Sequence, residues 1–440
     1  MIKDLRKVFL IVWASQVISA LGTGLTEFSL GVFVYQRTGS ATQFALVLLF
    51  TMVPGMLLSP LAGALADRWD RRRLMLLSNG GSGLVVFVLM LLLHQSWLGL
   101  WHIYVAVGVL ALCNAFRDPA YHASVSQLVT KEQAGRASGM VQSGDNLGQL
   151  GAPVLAGILI VALGLPGVLI IDAISYVIGF GALLLVVFPP LDRSDAHDRP
   201  SLLRDTADGW RYIMRFRGLL YLFLFGACTS LTVGLTQVVV TPMVLSFTTP
   251  AFLGGVNSFA GLGIFLGGVL MAAWGGPKKR VTGVLLFGLT QSLALLLIGL
   301  HADVVTIGAG VFCYLFSIQM ASGCEATIVR AYVPDAIQAR VFSLRRFVAW
   351  STLPLAYVLA GPLAGLFDPL LAPSGSLAGS FGPLLGTGPG RGIGLMIMIM
   401  GALFLLVVLV SFANPRLRHV EAELESADPE TGDLKVSERS

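Results

Sequence analysis

Long apolar runs, broken at intervals by short polar or charged loops, occupy almost the whole of this chain. A helix rises about 1.5 Å per residue, so about 20 apolar residues cross a hydrocarbon core of roughly 30 Å. Windows of that length place spans at 8–35, 41–66, 74–94, 98–127, 137–163, 166–188, 218–246, 251–274, 281–300, 304–330, 341–367 and 391–413. These twelve leave little chain for an aqueous domain. The opening MIKDLRKVFLIVWASQVISALG has the basic start and small-residue end of a signal peptide, but its apolar run continues to Tyr35, which suits a retained first span.

The polar stretch 189–217 opens with Pro189-Pro190 and divides the spans six and six. The expected organisation is a six-helix bundle over 1–188, a linker over 189–217, a second bundle over 218–414 and a tail over 415–440. In the linker, Leu203, Ala207, Trp210, Ile213 and Met214 recur at helical spacing, the pattern of an amphipathic helix on the membrane surface. The outer loop from Phe367 to Arg391, rich in Gly, Pro and Ser, is expected to be irregular, and the acidic, polar tail to be disordered. An internal repeat supports the halving: VLAG at 154–157 returns at 358–361, each 18 residues after an arginine, Arg136 and Arg340. The expected fold class is an all-α membrane protein of twelve helices in two pseudo-symmetric bundles.

Composition agrees: 55% of residues are hydrophobic and 12% charged, against roughly 25% charged in globular domains. The net charge of +5 would suit a nucleic-acid partner if the basic residues were not so placed. Of 29 Lys and Arg, 26 fall on the loops that share a side with residue 1, Arg37 and Arg391 fall opposite, and Arg117 lies within a span. That bias puts both termini in the cytoplasm and needs no nucleic acid. Cys113, Cys228, Cys313 and Cys324 sit in apolar runs and read as small hydrophobes. No phosphate-binding loop, HExxH, Cys-x-x-Cys or GxSxG occurs, so neither an enzyme nor a cofactor or metal is expected.

A charge in mid-span costs about 2.5–3.5 kcal/mol on insertion scales, so each intramembrane acid needs a partner, a wet cavity or a proton. Five qualify: Glu27, Asp118, Asp145, Asp172 and Glu325. Glu27 ends a stripe Gln16, Ser19, Thr23, Glu27 that lines one helix face and belongs against a cavity. It is the leading proton-coupling candidate, with Asp145 and Asp118 beside it. Arg117 and Asp118 are adjacent and point apart on a helix, which suggests partners across the bundle, with Asp145 a candidate for Arg117. Asp172 pairs or caps near the outer end of its span, and Glu325, close to Arg330 in sequence, is a candidate gate residue. Gln16, Thr23, Asn114, Arg117, Gln237, Asn257 and Gln319 offer hydrogen bonds to a substrate or between helices.

The densest charge cluster is GALADRWDRRRLML, residues 63–76. Its arginines anchor topology in any multispan protein, but Asp67 closes the second span, where a carboxylate can meet a helix N-terminus or an arginine. Gly63-x-Leu65-x-Asp67-Arg68-x-x-Arg71-Arg72 resembles the loop motif between spans two and three of the major facilitator superfamily, with Asp70 where a glycine is usual. WASQVISALG, YQRTGSA, IDAISY (171–176), GWRYI (209–213) and ARVFSL (339–344) resemble its drug-exporter branch typified by macrolide efflux proteins, over roughly residues 8–415. The resemblance implies a cytoplasmic gate of Asp67, Arg68, Arg71 and Arg72 and export driven by protons; Arg136, Glu325 and Arg340 are further gate candidates by position. GQLGAPVLAG is similar to the antiporters' fifth-span motif with its glycines displaced, and Leu110 occupies the usual place of the fourth-span arginine.

The expected function is therefore proton-coupled export of amphipathic small molecules such as macrolides, with substrate, protons and lipid bilayer as partners and a monomeric protein. An exporter of an anionic metabolite or siderophore and a lysophospholipid flippase are near alternatives. A non-transporting membrane sensor, from a different class, would be expected to carry an appended soluble domain.

Overall fold

The protein is described by a computed structural model covering residues 5–129, 133–188 and 210–425. The described residues are helical apart from short turns and connections. In chain order the helices are α1 (Leu5–Thr38), α2 (Ala41–Arg68), α3 (Arg71–His94), α4 (Leu100–Leu128), α5 (Ala134–Asn146), α6 (Ala152–Leu185), α7 (Arg217–Leu245), α8 (Pro250–Trp274), α9 (Arg280–Leu300), α10 (Val304–Tyr332), α11 (Asp335–Phe367), α12 (Ala378–Leu385), α13 (Arg391–Ala413), α14 (Pro415–Arg418) and α15 (Val420–Glu425).

Among the described residues eleven helices are long and apolar enough to cross a membrane. The twelfth expected span lies inside α6, whose 34 residues join what the sequence separates as spans five and six. Gly164 makes the break, at φ 67° and ψ 179°, a left-handed conformation open to glycine, and Pro166 follows it. Upstream, a π-turn at Leu147–Gly151 links α5 to α6 just before Pro153. Small residues bring α1 close there, with Gly144 against Val17, Gly148 against Ala20 and Gly24 against Ala152.

Helix starts follow local chemistry. Ser40 accepts from the Gln43 amide to cap α2, after Gly39 at φ 63°, and Asp70 accepts from the Arg73 amide at 3.0 Å to cap α3. The acidic substitution in the superfamily-like loop thus serves as a helix cap.

Chain contacts divide the protein into two units, one comprising Met1–Asp195 with Thr248–Ser258, the other Ala196–Phe247 with Phe259–Ser440. In the first, α1 packs on α6, α2 on α4, and α3 on α4 and α6. The second repeats the order six expected spans later: α7 packs on α11 and α13, and α9 on α10 and α13. Glycines 263 and 267 of α8 lie against Phe312 and Phe316 of α10. Large apolar side chains such as Leu57, Leu84, Val177, Phe265 and Val305 point outward, as a lipid-facing surface requires.

Two expectations are corrected. The tail beyond 415 is not structureless: α14 and α15 fold back, burying Leu417, Val420 and Leu424 in the core formed by Tyr212, Ile213, Phe216 and Leu219. Residues 426–440 lie outside the described residues. The outer loop also carries structure, a 3-10 turn at Asp368–Leu371 and helix α12, with Leu371 and Leu385 buried against Leu395. Apolar burial outweighs composition in both places. The amphipathic linker helix is described only in its last turn, 210–215, where Tyr212 and Ile213 turn into the core and Trp210 and Met214 outward; its remainder lies outside the described residues.

Candidate functional site

In the first unit, apolar clusters close both ends of the bundle. One gathers Val8, Val12, Met75, Leu128 and Leu183, the other Leu30, Val34, Leu89, Ile103 and Leu169. Between them lies a layer the sequence made polar. There α1 buries Ser15, Gln16, Ser19, Thr23, Thr26 and Ser29, α3 buries Ser78, Asn79 and Ser82, α4 buries Arg117, and α6 buries Asp172 and Ser175.

Asp172 is wholly buried and held by hydroxyls: Thr26 Oγ1 donates to Oδ2 at 2.6 Å, and Ser175 Oγ lies 3.1 Å from Oδ1. One turn away, the Thr23 and Tyr176 hydroxyls share a 2.7 Å hydrogen bond. Gly22 makes this fit possible, because a Cβ there would strike the Ser175 hydroxyl and the Asp172 carboxylate. Asp172, Ser175 and Tyr176 of IDAISY thus form one seam of α6 on α1. Sequence reading did not find it, although Thr23/Thr26 and Asp172/Ser175/Tyr176 both have the three-to-four spacing that aligns a helix face.

Arg117 is nine-tenths buried. Its Nε and Nη2 donate to Asp118 Oδ1 at 3.2 and 3.1 Å, while Nη1 has no partner among the described residues. The expected pairing of Arg117 with Asp145 is therefore replaced by pairing with its neighbour: the long guanidinium arm reaches a carboxylate that is itself 55% exposed. Asp145 instead lies 3.9 Å from His122 Nε2. Gln16, Arg117, Asp118 and Asp145 nevertheless line one cavity of about 20 Å³, room for a single water. Both amide atoms of Gln16 and the Oδ1 of Asn114 are buried without partners among the described residues. Glu27, half-buried, feels the charges of Asp172, Arg117 and Asp118.

The remaining candidates lie elsewhere. In the second unit Gln237 accepts from the Tyr357 hydroxyl at 2.7 Å, and Gln319 packs against Gly267. Asn257, on the part of α8 that groups with the first unit, has an amide nitrogen with no partner among the described residues. Glu325 pairs with Arg345 at 3.1 Å rather than with the nearby Arg330; Arg330 and Arg345 both lie over the Phe342 ring.

Of the gate candidates, the side chains of Asp67 and Arg68 lie outside the described residues. Arg71 donates to Ala123 O at 2.6 Å, and Arg72 to Leu183 O and Leu184 O at 2.7 and 3.0 Å. Arg72 thus caps the carbonyl end of α6, where a cation meets the negative pole of the helix. Arg136 is exposed and Arg340 half-buried. Of the two arginines outside the basic loops, Arg391 follows the same logic, donating to Gly299 O and Leu300 O at the end of α9, whereas Arg37 donates to Leu98 O, in the connection before α4, at 2.7 Å.

A model of the Major Facilitator Superfamily matches residues 12–356. The macrolide efflux protein A of Streptococcus pyogenes is 24% identical over 378 residues, covering 81% of this chain and 89% of that protein. The multidrug efflux pump Tap of Mycobacterium tuberculosis (strain ATCC 25618 / H37Rv) is 25% identical over 388 residues, covering 83% and 89%. Among solved structures, a bacterial homologue of the human lysosomal transporter Spinster aligns with a TM-score of 0.70 at 15% identity, covering 96% of this chain and 98% of that one. The nucleoside transporter NupG aligns with a TM-score of 0.70 at 12% identity, covering 92% and 99%. These two likenesses speak to the fold alone.

Proposed function

This chain belongs to the Major Facilitator Superfamily, and we propose that it is a proton-coupled exporter of amphipathic small molecules, such as macrolides or other lipophilic drugs, working by alternating access. The similarity to macrolide and multidrug efflux proteins supports the cargo class. The observation that carries the coupling is the polar layer of the first unit, where Glu27 and Asp172 sit near Arg117 and Asp118 in an otherwise apolar interior.

Charges held there cost free energy unless they are paired or protonated. A carboxylate whose surroundings alternate between an arginine and open water therefore exchanges its proton as the protein changes state. In this reading Glu27, Asp118 and Asp145 carry protons, and Gln16, Thr23, Asn114, Arg117, Gln237, Asn257 and Gln319 meet substrate. Asp67, Arg68, Arg71, Arg72, Arg136, Glu325 and Arg340 govern the cytoplasmic gate. The protein acts as a monomer in a bacterial plasma membrane with both termini inside.

The test is drug efflux from cells with and without an uncoupler, for the wild type, Glu27→Gln and Arg117→Ala. Full uncoupler-sensitive export by both variants would refute the assignments. One observation favours a second reading, an anionic cargo: Arg117 Nη1 is buried and lacks an acceptor. Cargo charge separates the two, since a cationic or neutral drug requires Glu27 or Asp145 and an anion requires Arg117.

A further inference from the structure

At the start of α7 the second unit carries a cleft with no part in the transport reading. It is open, about 530 Å³ in volume, and lined by Arg215, Arg217, Pro415, Arg416, His419 and Glu423. The volume lies within the roughly 300–1,000 Å³ that small-ligand sites occupy. We propose that this cleft binds the phosphodiester headgroup of an anionic phospholipid.

Charge is the first argument. Three arginines converge from two segments far apart in sequence, against one carboxylate. That carboxylate is partly committed, since Glu423 Oε2 accepts from the Gly218 amide at 3.2 Å. The guanidinium groups of Arg217 and Arg416 form no ion pair with a described residue, and both residues are exposed. His419 adds a ring whose Nδ1 lies 2.7 Å from Pro415 O; a carbonyl only accepts, so Nδ1 is the donor and the ring is fixed in place. Arg217 and Arg416, like charges brought together, repel until an anion joins them, and a phosphate accepts from several guanidinium groups at once.

Position is the second argument, and it selects lipid over a free ion. Arg217 is the first residue of a membrane-crossing helix, so the cleft lies where hydrocarbon gives way to headgroups. The turn before it exposes Trp210 and Met214 while Tyr212, Ile213 and Phe216 anchor it in the core. Exposed tryptophan beside arginine is the composition of a membrane interface. Basic pockets at this depth hold acidic headgroups. Two structural pieces that the sequence presents as unrelated, the end of the linker and the start of the tail, together make the site.

The experiment uses the purified full-length protein, stripped of lipid in a neutral detergent, and measures binding by native mass spectrometry and by thermal shift. Phosphatidylglycerol should bind and raise the melting temperature, and phosphatidylcholine should do neither. Arg217→Gln and Arg416→Gln should each weaken phosphatidylglycerol binding about fivefold, the factor that corresponds to one basic residue at a membrane surface. Arg418→Gln, an exposed arginine outside the cleft, should leave it unchanged. Equal binding of the two lipids by the wild type would overturn the proposal without recourse to any variant. An Arg418→Gln loss as large as that of Arg217→Gln would also overturn it, by showing diffuse attraction. Complete displacement of phosphatidylglycerol by millimolar inorganic phosphate would overturn the lipid assignment in favour of a free anion.

Discussion

The two units bury different chemistry in the middle of their helices. The first holds ionisable groups: Arg117 on Asp118, Asp172 wholly enclosed, and Glu27 half-enclosed. The second holds neutral pairs: Thr232 with the Tyr314 hydroxyl at 2.8 Å, Thr290 on Ser317 at 2.7 Å, and Tyr357 on Gln237. Its charges are kept toward the helix ends, as Glu325 with Arg345 and as Arg391 on the α9 carbonyls. A hydroxyl pair satisfies itself in a low-dielectric interior, whereas a carboxylate there carries a standing cost. The half that carries this cost is the half in which proton traffic is to be sought.

The largest test of this contrast is functional. Glu27→Gln and Arg117→Ala should each lower uncoupler-sensitive export by roughly tenfold or more, equivalent to about 1.4 kcal/mol or greater. Thr232→Val and Thr290→Val, which remove neutral partners in the second unit, should change it by less than about threefold, well under 1 kcal/mol. An equal loss from both sets, measured as transport rate at matched expression, would erase the distinction between the units.

The next test reads stability. Asp172→Val takes away the acceptor of the Thr26 hydroxyl, while Ser175 keeps the Asp172 backbone carbonyl, and should cost about 1–3 kcal/mol. Tyr314→Phe removes one bond of the matching kind in the second unit and should cost only about 0.6 kcal/mol, the average for interhelical hydrogen bonds in a membrane. Melting temperatures in detergent decide it. If Tyr314→Phe proves the more damaging, the seam of α6 on α1 is not the stiffer contact.

The units also finish their helices differently at the ends rich in arginine. In the first, Arg72 caps the carbonyl end of α6. In the second, α7 and α9 begin there, and the tail supplies carboxylates: Glu423 accepts from the Gly218 amide and Glu421 from the Val281 amide at 2.7 Å. Opposite helix poles require opposite charges. Glu421→Gln and Glu423→Gln should each lower stability by about 1 kcal/mol, the usual worth of a helix cap. Removal of the chain after Arg418 should cost more than the two together, because Val420 and Leu424 leave the core as well. Truncation without a drop in melting temperature would refute the brace.

Much of the architecture was legible in the sequence because apolar run length is a strong signal that tertiary context rarely overrides. Glu27, Arg117, Asp118 and Asp172 stood out because an ion in an apolar run is rare. Their partners did not. Adjacent residues on a helix diverge at Cβ, and that argument separated Arg117 from Asp118, yet the guanidinium arm is long enough to return. The tail was misjudged from its acidity, although Leu417, Val420 and Leu424 stand three and four residues apart, the stripe of a buried helix face. The carbonyl partners of Arg71 and Arg72 had no local signal, because the helix ends they meet are brought to them only by the fold.

The smallest expected effect concerns a charge in the second unit outside the spans. Asp303 is exposed and caps α10, accepting from the Thr306 amide at 2.8 Å and the Thr306 hydroxyl at 2.9 Å. The Thr306 backbone and hydroxyl donors, which favour the ionised form, hold its carboxyl below the ordinary value of 3.8. A carboxyl whose pKa is depressed on folding stabilises the native state fully above its unfolded value and loses that contribution as pH falls through the folded one. Asp303→Asn keeps the acceptor oxygen and removes the charge. The variant and the wild type should therefore differ slightly in melting temperature at pH 6 and converge below pH about 3.8, where the carboxyl takes up its proton. A difference that persists unchanged into acid would mean that shape rather than charge makes the cap, and the contrast would then rest on the buried ions of the first unit alone.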